Sequence, residues 1–164
     1  MRIDLTHILK NEGSKENFEY NLDLSDFEYL DNKPFKKPVE VLGNISNLGG
    51  SLIVKTVANA VLNSYCDRCR EEFLMDLKTE GESTVILKET DDEGENTVLA
   101  PKGILDIDRV VTDNLVLAIP MKHLCKIDCK GLCSKCGADL NIGECKCNLE
   151  EVDPRLAVLK DFLN

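Results

Sequence analysis

The sequence predicts an α+β fold: an antiparallel β meander, barrel-like, with a central helix, followed by a C-terminal zinc-binding module and a terminal helix. Three observations predict it. Apolar and polar residues alternate from about residue 37 to 88, the two-residue period of half-buried strands. At Asp106 the period becomes helical. Six cysteines then fall between Cys125 and Cys147. The expected division is a β domain over residues 1–120, carrying a helix at 106–119, and a cysteine-rich zinc module with the terminal helix over 121–164.

The first thirty residues carry no clear period. They read as a short extended or helical start, a polar loop at Asn11-Glu12-Gly13-Ser14 and a mixed run from Phe18 to Leu30. From Lys37 the strand signal begins with Val39, Val41 and Ile45, and Gly49-Gly50 supplies a hairpin turn. Leu52 to Leu62 forms the next strand. Phe73, Met75 and Leu77 open another that continues through Thr84-Val85-Ile86-Leu87. The run from Glu89 to Asn96 has five acids in eight residues and no apolar side chain, so it reads as a solvated loop. Ile107, Val110, Val111, Leu115 and Ala118 share one helical face, Asp106 is placed to cap its start, and Pro120 stops it. Asp153-Pro154 then announces a terminal helix lined by Leu156, Leu159 and Leu163.

Composition narrows the function. The chain is 43% hydrophobic over 164 residues, enough for a core, but it has no Trp and only five Phe and three Tyr. A broad aromatic stacking surface for single-stranded nucleic acid is therefore not expected. No run approaches the roughly 18 apolar residues of a membrane span. Met1-Arg2-Ile3-Asp4-Leu5 lacks a secretion-signal pattern, so the expected compartment is the cytoplasm. In a reducing compartment, closely spaced cysteines are metal ligands or redox thiols more often than disulfides.

Net charge is −10, against broad electrostatic binding of nucleic acid. The charge is uneven. Residues 66–120 carry six basic and fourteen acidic groups, whereas residues 121–164 balance at seven and seven. The cysteine-rich end is the least acidic part of the chain.

Cys133-Ser134-Lys135-Cys136-Gly137 is a zinc knuckle in sequence. A two-residue gap lets both sulfurs face one point, and the glycine lets the chain turn beneath them. Cys145 and Cys147 supply the second pair, and four thiolates at about 2.3 Å complete a closed structural site. The spacing argues for metal more strongly than for zinc over iron. His123 lies just outside and reads as a surface residue. Cys66-Asp67-Arg68-Cys69 falls at a hairpin tip, where three readings stay open: half of a second site completed by Cys125 and Cys129, a redox dithiol, or a structural pair without metal.

No Walker loop, GxGxxG, nucleophile elbow or His-Glu-x-x-His occurs, and two histidines leave little for acid–base work. Asp106, Asp108 and Asp113 read as acids on a solvated helix face. No catalytic residues and no small-molecule substrate are expected.

Cys66-Asp67-Arg68-Cys69, the helix end Asn114-Leu115-Val116-Leu117-Ala118-Ile119-Pro120-Met121, Cys129-Lys130-Gly131-Leu132-Cys133-Ser134-Lys135-Cys136-Gly137-Ala138-Asp139-Leu140-Asn141 and Asp153-Pro154-Arg155-Leu156 together resemble the YceD family of bacteria and plastids. Ser134 stands where members often have proline. The resemblance implies a non-enzymatic role in accumulation or processing of 23S rRNA during large-subunit assembly, with rRNA, ribosomal proteins or assembly factors as partners. Family members that keep Cys-x-Arg-Cys without the C-terminal cluster leave the partners of Cys66 and Cys69 open, with Arg68 then a contact residue. Arg68, Arg70, Lys122, Lys126, Lys130 and Lys135 are the candidate RNA or partner contacts, set against a plain solvated role for each. Two rivals stand beside this reading: a thiol redox protein or sensor using Cys66 and Cys69, and a zinc-stabilised interaction adaptor unrelated to ribosomes.

Overall fold

The computed structural model describes residues 1–30, 32–88 and 96–147. The expected terminal helix and most of the acidic loop, residues 89–95, lie outside the described residues. The chain divides into two compact units. Met1–Ser64 with Glu72–Met121 forms one, and Tyr65–Glu71 with the chain from Lys122 forms the other. The hairpin tip at Tyr65–Glu71 groups with the cysteine-rich end rather than with residues 1–120, because its two cysteines meet partners there.

The first unit is mostly sheet. Its elements are β1 (Arg2–Asp4), α1 (Thr6–Lys10), β2 (Lys15–Leu22), β3 (Val39–Leu48), β4 (Ser51–Tyr65), β5 (Glu72–Ile86), β6 (Thr97–Leu99), β7 (Ile104–Asp106) and α2 (Ile107–Ala118). Five strands run in the order β2-β3-β4-β5-β6, a meander through β5, while β1 and β7 pair separately. β2, β3 and β4 are antiparallel neighbours. β6 departs from the all-antiparallel expectation: Thr84 faces Thr97 and Ile86 faces Leu99 in a parallel ladder. A parallel return cannot be made by a tight turn, and ten residues separate Ile86 from Thr97 in sequence. Among the described residues β2 and β6 are the outer strands of this curled sheet.

The β3–β4 turn shows why Gly49-Gly50 is needed. Leu48 pairs with Ser51, and both glycines take positive φ, 60° and 90°, the twist of the two-residue hairpin turn that matches the strands. Buried Asn47 secures the turn from outside it. Its Oδ1 accepts the Gly50 N–H at 2.9 Å, and its amide donates to the Ile8 carbonyl at 2.9 Å.

The core is built from alternate residues of the strands and one face of α2. Val39, Val41, Ile45, Val54, Leu62, Leu105, Ile107, Val111 and Leu115 are all fully buried. The expected helix face is the buried one, with Ala118 packed at its margin. Asp106 does occupy the N-cap position, but its side chain makes no capping bond. It accepts from Arg2 Nε at 3.2 Å instead, because the β1–β7 pairing sets Arg2 directly opposite. Asp113 stays on the solvated face as expected, whereas Asp108 does not. Asp113 pairs with Arg109 at 3.9 Å, and Asp108 binds the Met1 amine and the Tyr20 hydroxyl, the latter at 2.7 Å.

Burial pushes the Asp108 carboxyl up, but the amine and the hydroxyl outweigh it and hold it below the usual carboxylate range. The stability it lends is therefore present at neutral pH and lost as pH falls through that lowered value. Tyr20→Phe should cost about 1.5 kcal/mol by removing a hydrogen bond to a charged acceptor. A urea midpoint shift at constant slope measures it; no shift would mean water replaces the hydroxyl.

Candidate metal centres

The second unit brings all eight cysteines into two groups of four. Cys66, Cys69, Cys125 and Cys129 converge in one, and Cys133, Cys136, Cys145 and Cys147 in the other, with the sulfurs of each within 4.8 Å of one another. Among the described residues these are the groups of three or more His, Cys, Asp or Glu side chains whose ligand atoms meet. His123 belongs to neither.

Each pair begins in a backbone knuckle. Gly137 N–H donates to the Cys133 carbonyl at 2.9 Å with φ 73°. Arg70 N–H donates to the Cys66 carbonyl at 2.9 Å with φ 64°. The same turn is thus made twice, once by a glycine and once by an arginine held in the left-handed region that side chains disfavour by about 1–2 kcal/mol. The glycine was legible as a knuckle signal; the arginine disguised its counterpart.

The donor set fits a tetrahedral ion. Sulfurs about 2.3 Å from a central metal lie about 3.8 Å apart along each edge of the tetrahedron. Cys66 and Cys129 are separated by 3.8 Å and Cys69 and Cys125 by 3.6 Å. The eight thiols are all free.

The thiols of each group do not ionise alike. Burial pushes the Cys66 thiol up, but backbone N–H groups of Cys125, Cys69 and Arg68 overcome it and bring the thiol down to about 6. Backbone N–H groups of Cys136 and Lys135 likewise lower Cys133 to about 6. Burial and the neighbouring Cys69, Cys66 and Cys129 sulfurs drive Cys125 up to about 12. Cys147 rises to about 12 chiefly through the Cys136 sulfur. One thiolate forms readily in each group; its neighbours then resist ionising beside it.

A divalent metal must therefore displace protons at neutral pH, and acid must reverse the exchange. Metal content should be two ions per chain by elemental analysis, falling to one in Cys66→Ser, given the two groups. Both ions should be released as pH is lowered, read with a chromophoric chelator. Release that rose with increasing pH would contradict this reading.

The surrounding contacts were not legible in advance. Arg68 Nη1 donates to the Cys129 carbonyl at 2.7 Å, and the Arg68 carbonyl accepts from Leu132 N–H at 3.1 Å. Its guanidinium thus supports the first tetrad. Asp67 and His123 exchange backbone contacts, with His123 N–H donating to Asp67 Oδ2 and Asp67 N–H to the His123 carbonyl, both at 2.8 Å. Asn141 donates to Cys129 Sγ at 3.4 Å. Sequence alone offered no signal for that contact. The other candidate contacts, Arg70, Lys122, Lys126, Lys130 and Lys135, are all exposed.

A family model described as "Large ribosomal RNA subunit accumulation protein YceD" matches residues 54–163, which include every cysteine. The chain belongs to the YceD family. A relative named "Large ribosomal RNA subunit accumulation protein YCED homolog 1, chloroplastic", from Arabidopsis thaliana, is 27% identical over 178 aligned positions, covering 90% of this chain and 54% of that protein. Uncharacterized proteins of Mycobacterium bovis and Mycobacterium tuberculosis are each 36% identical over 59 residues, 36% of this chain and 28% of theirs. The chain thus spans about half the length of the plant relative and less of the mycobacterial ones. No solved structure matches the YceD-family chain. Among its described residues no helix is long and apolar enough to cross a membrane.

Proposed function

We propose that this chain is a non-enzymatic factor for accumulation of large-subunit (23S) rRNA during ribosome assembly, with two structural zinc ions holding its cysteine unit. The observation that carries the role is the family match across residues 54–163. The donor sets support a structural part for the metal. Each has four protein sulfurs, which closes the coordination sphere, whereas catalytic zinc keeps a position open.

The net charge of −10 disfavours binding to bare RNA through phosphates alone. A ribosomal protein or another assembly factor is at least as good a partner, with exposed Lys122, Lys126, Lys130 and Lys135 on the less acidic unit as the contact candidates. The cytoplasm, or a compartment with its own ribosomes, is the setting this role requires.

Depletion tests the proposal. Levels of 23S rRNA should fall relative to 16S and recover with the wild-type chain but not with Cys133→Ser. Unchanged 23S rRNA after depletion would refute the role. The redox alternative predicts instead a reversible Cys66–Cys69 disulfide in thiol trapping. The adaptor alternative predicts partners whose capture is insensitive to ribonuclease and includes no ribosomal component.

A further inference from the structure

Asn141 lies between Cys136 and Cys145, inside the loop that closes one cysteine group, yet it bonds to a ligand of the other. Its amide donates to Cys129 Sγ at 3.4 Å and to Asp139 Oδ1 at 2.8 Å, while its Oδ1 accepts from Lys130 N–H at 2.8 Å. The partners fix the amide's orientation: a backbone N–H only donates and a carboxylate only accepts. The segment from Lys130 to Leu132, which joins Cys129 to Cys133, is tied to the same loop. Leu140 N–H donates to the Gly131 carbonyl at 2.9 Å, and Leu132 bridges Asp139. Gly131, at φ 75°, leaves only 3.0 Å between a would-be Cβ and the Arg68 carbonyl, so the joining segment is also pressed against the Cys66–Cys69 knuckle.

We propose that Asn141 is a positioning residue that couples the two cysteine groups, so that metal held by either raises the affinity of the other. Metal on Cys145 and Cys147 fixes the loop and presents the Asn141 N–H to Cys129. That bond offsets charge on the metal-bound sulfur, the usual work of groups outside the ligand shell. Metal on Cys129 fixes the acceptor and so favours the closed loop. Coupling of this kind is reciprocal and typically changes affinity about 5- to 150-fold. The inference rests on both groups holding metal, which total binding reads separately from coupling.

The test is anaerobic titration of the full chain with Co2+ against a chromophoric chelator. Wild type should fill both groups. Cys136→Ser should bind at the Cys66–Cys69–Cys125–Cys129 group about tenfold more weakly than wild type does there, and Cys66→Ser should weaken the other group by a similar factor. In an Asn141→Ala background both groups should still fill, but Cys136→Ser should then weaken the remaining group by less than about twofold. The Cys129-to-Co2+ charge-transfer band should move to lower energy in Asn141→Ala, which simple loss of stability would not produce. If Asn141→Ala does not fold, Asn141→Ser replaces it, and the two cysteine variants read the coupling in an otherwise unaltered chain. Full binding with unchanged affinity in Cys136→Ser, unequal reciprocal effects, or the same weakening without Asn141 would each overturn the coupling and leave the two-site reading intact. A wild-type chain that fills only one group would overturn both.

Discussion

Stripping metal from the protein with a strong chelator should unfold the cysteine unit while the sheet unit stays hydrogen-bonded. Among the described residues, every member of the hydrophobic core belongs to the sheet unit. Among the described residues of the cysteine unit, the buried side chains of apolar type are Cys66, Cys69, Cys129 and Cys133, which are ligand candidates themselves. Of its larger described apolar residues, Ile127 is 94% exposed and Ile142 is 88% exposed, while Leu124 and Leu140 are only partly buried. Among the described residues of this unit burial therefore contributes little, whereas binding of structural zinc supplies about 10–16 kcal/mol to a small site. The loss is expected to be complete rather than graded. Hydrogen exchange with and without chelator measures it: protection at Arg70, Leu132, Cys133, Gly137 and Leu140, whose N–H groups bond within this unit, should vanish. Protection in β3 and β4 should persist. Retained protection at Gly137 and Leu140 in metal-free protein would defeat this account.

The complementary experiment strikes the other unit. Phe35→Ala should cost about 3–5 kcal/mol, as for other buried aromatics truncated to alanine. Phe35 is fully buried, forms an isolated bridge with Leu62 on β4, and its ring lies 6.1 Å from that of Phe27 at a tilt of 45°. Leu62 cannot move into the space without leaving β4. Most single domains have only about 5–15 kcal/mol in hand, so the variant should unfold at much lower urea while its metal content per folded chain stays the same. A loss under about 1 kcal/mol would mean that the site relaxes, and that Phe35 is less central than its burial implies. Together the two perturbations separate a unit held by apolar area from one held by thiolates.

Local pattern was enough for much of this molecule. Two-residue alternation marked β3, β4 and β5 because side chains on a strand leave by opposite faces, and the core took the residues that alternation selected. The change of period at Asp106, with Pro120 beyond it, marked α2. Clustering of cysteines at ligand spacing marked the groups whose sulfurs converge and could hold a metal, because a turn of two residues is short enough for sequence to specify it. What sequence could not decide was every relation across a long stretch of chain. β6 pairs parallel to β5, Asp106 is claimed by Arg2 more than one hundred positions away, and Arg70 takes a glycine's conformation. Cys66 and Cys69 meet Cys125 and Cys129, and Asn141 reaches a sulfur outside its own loop. Backbone geometry is set over a few neighbouring residues, whereas those contacts exist only once the chain has folded back on itself and distant groups compete for the same partners.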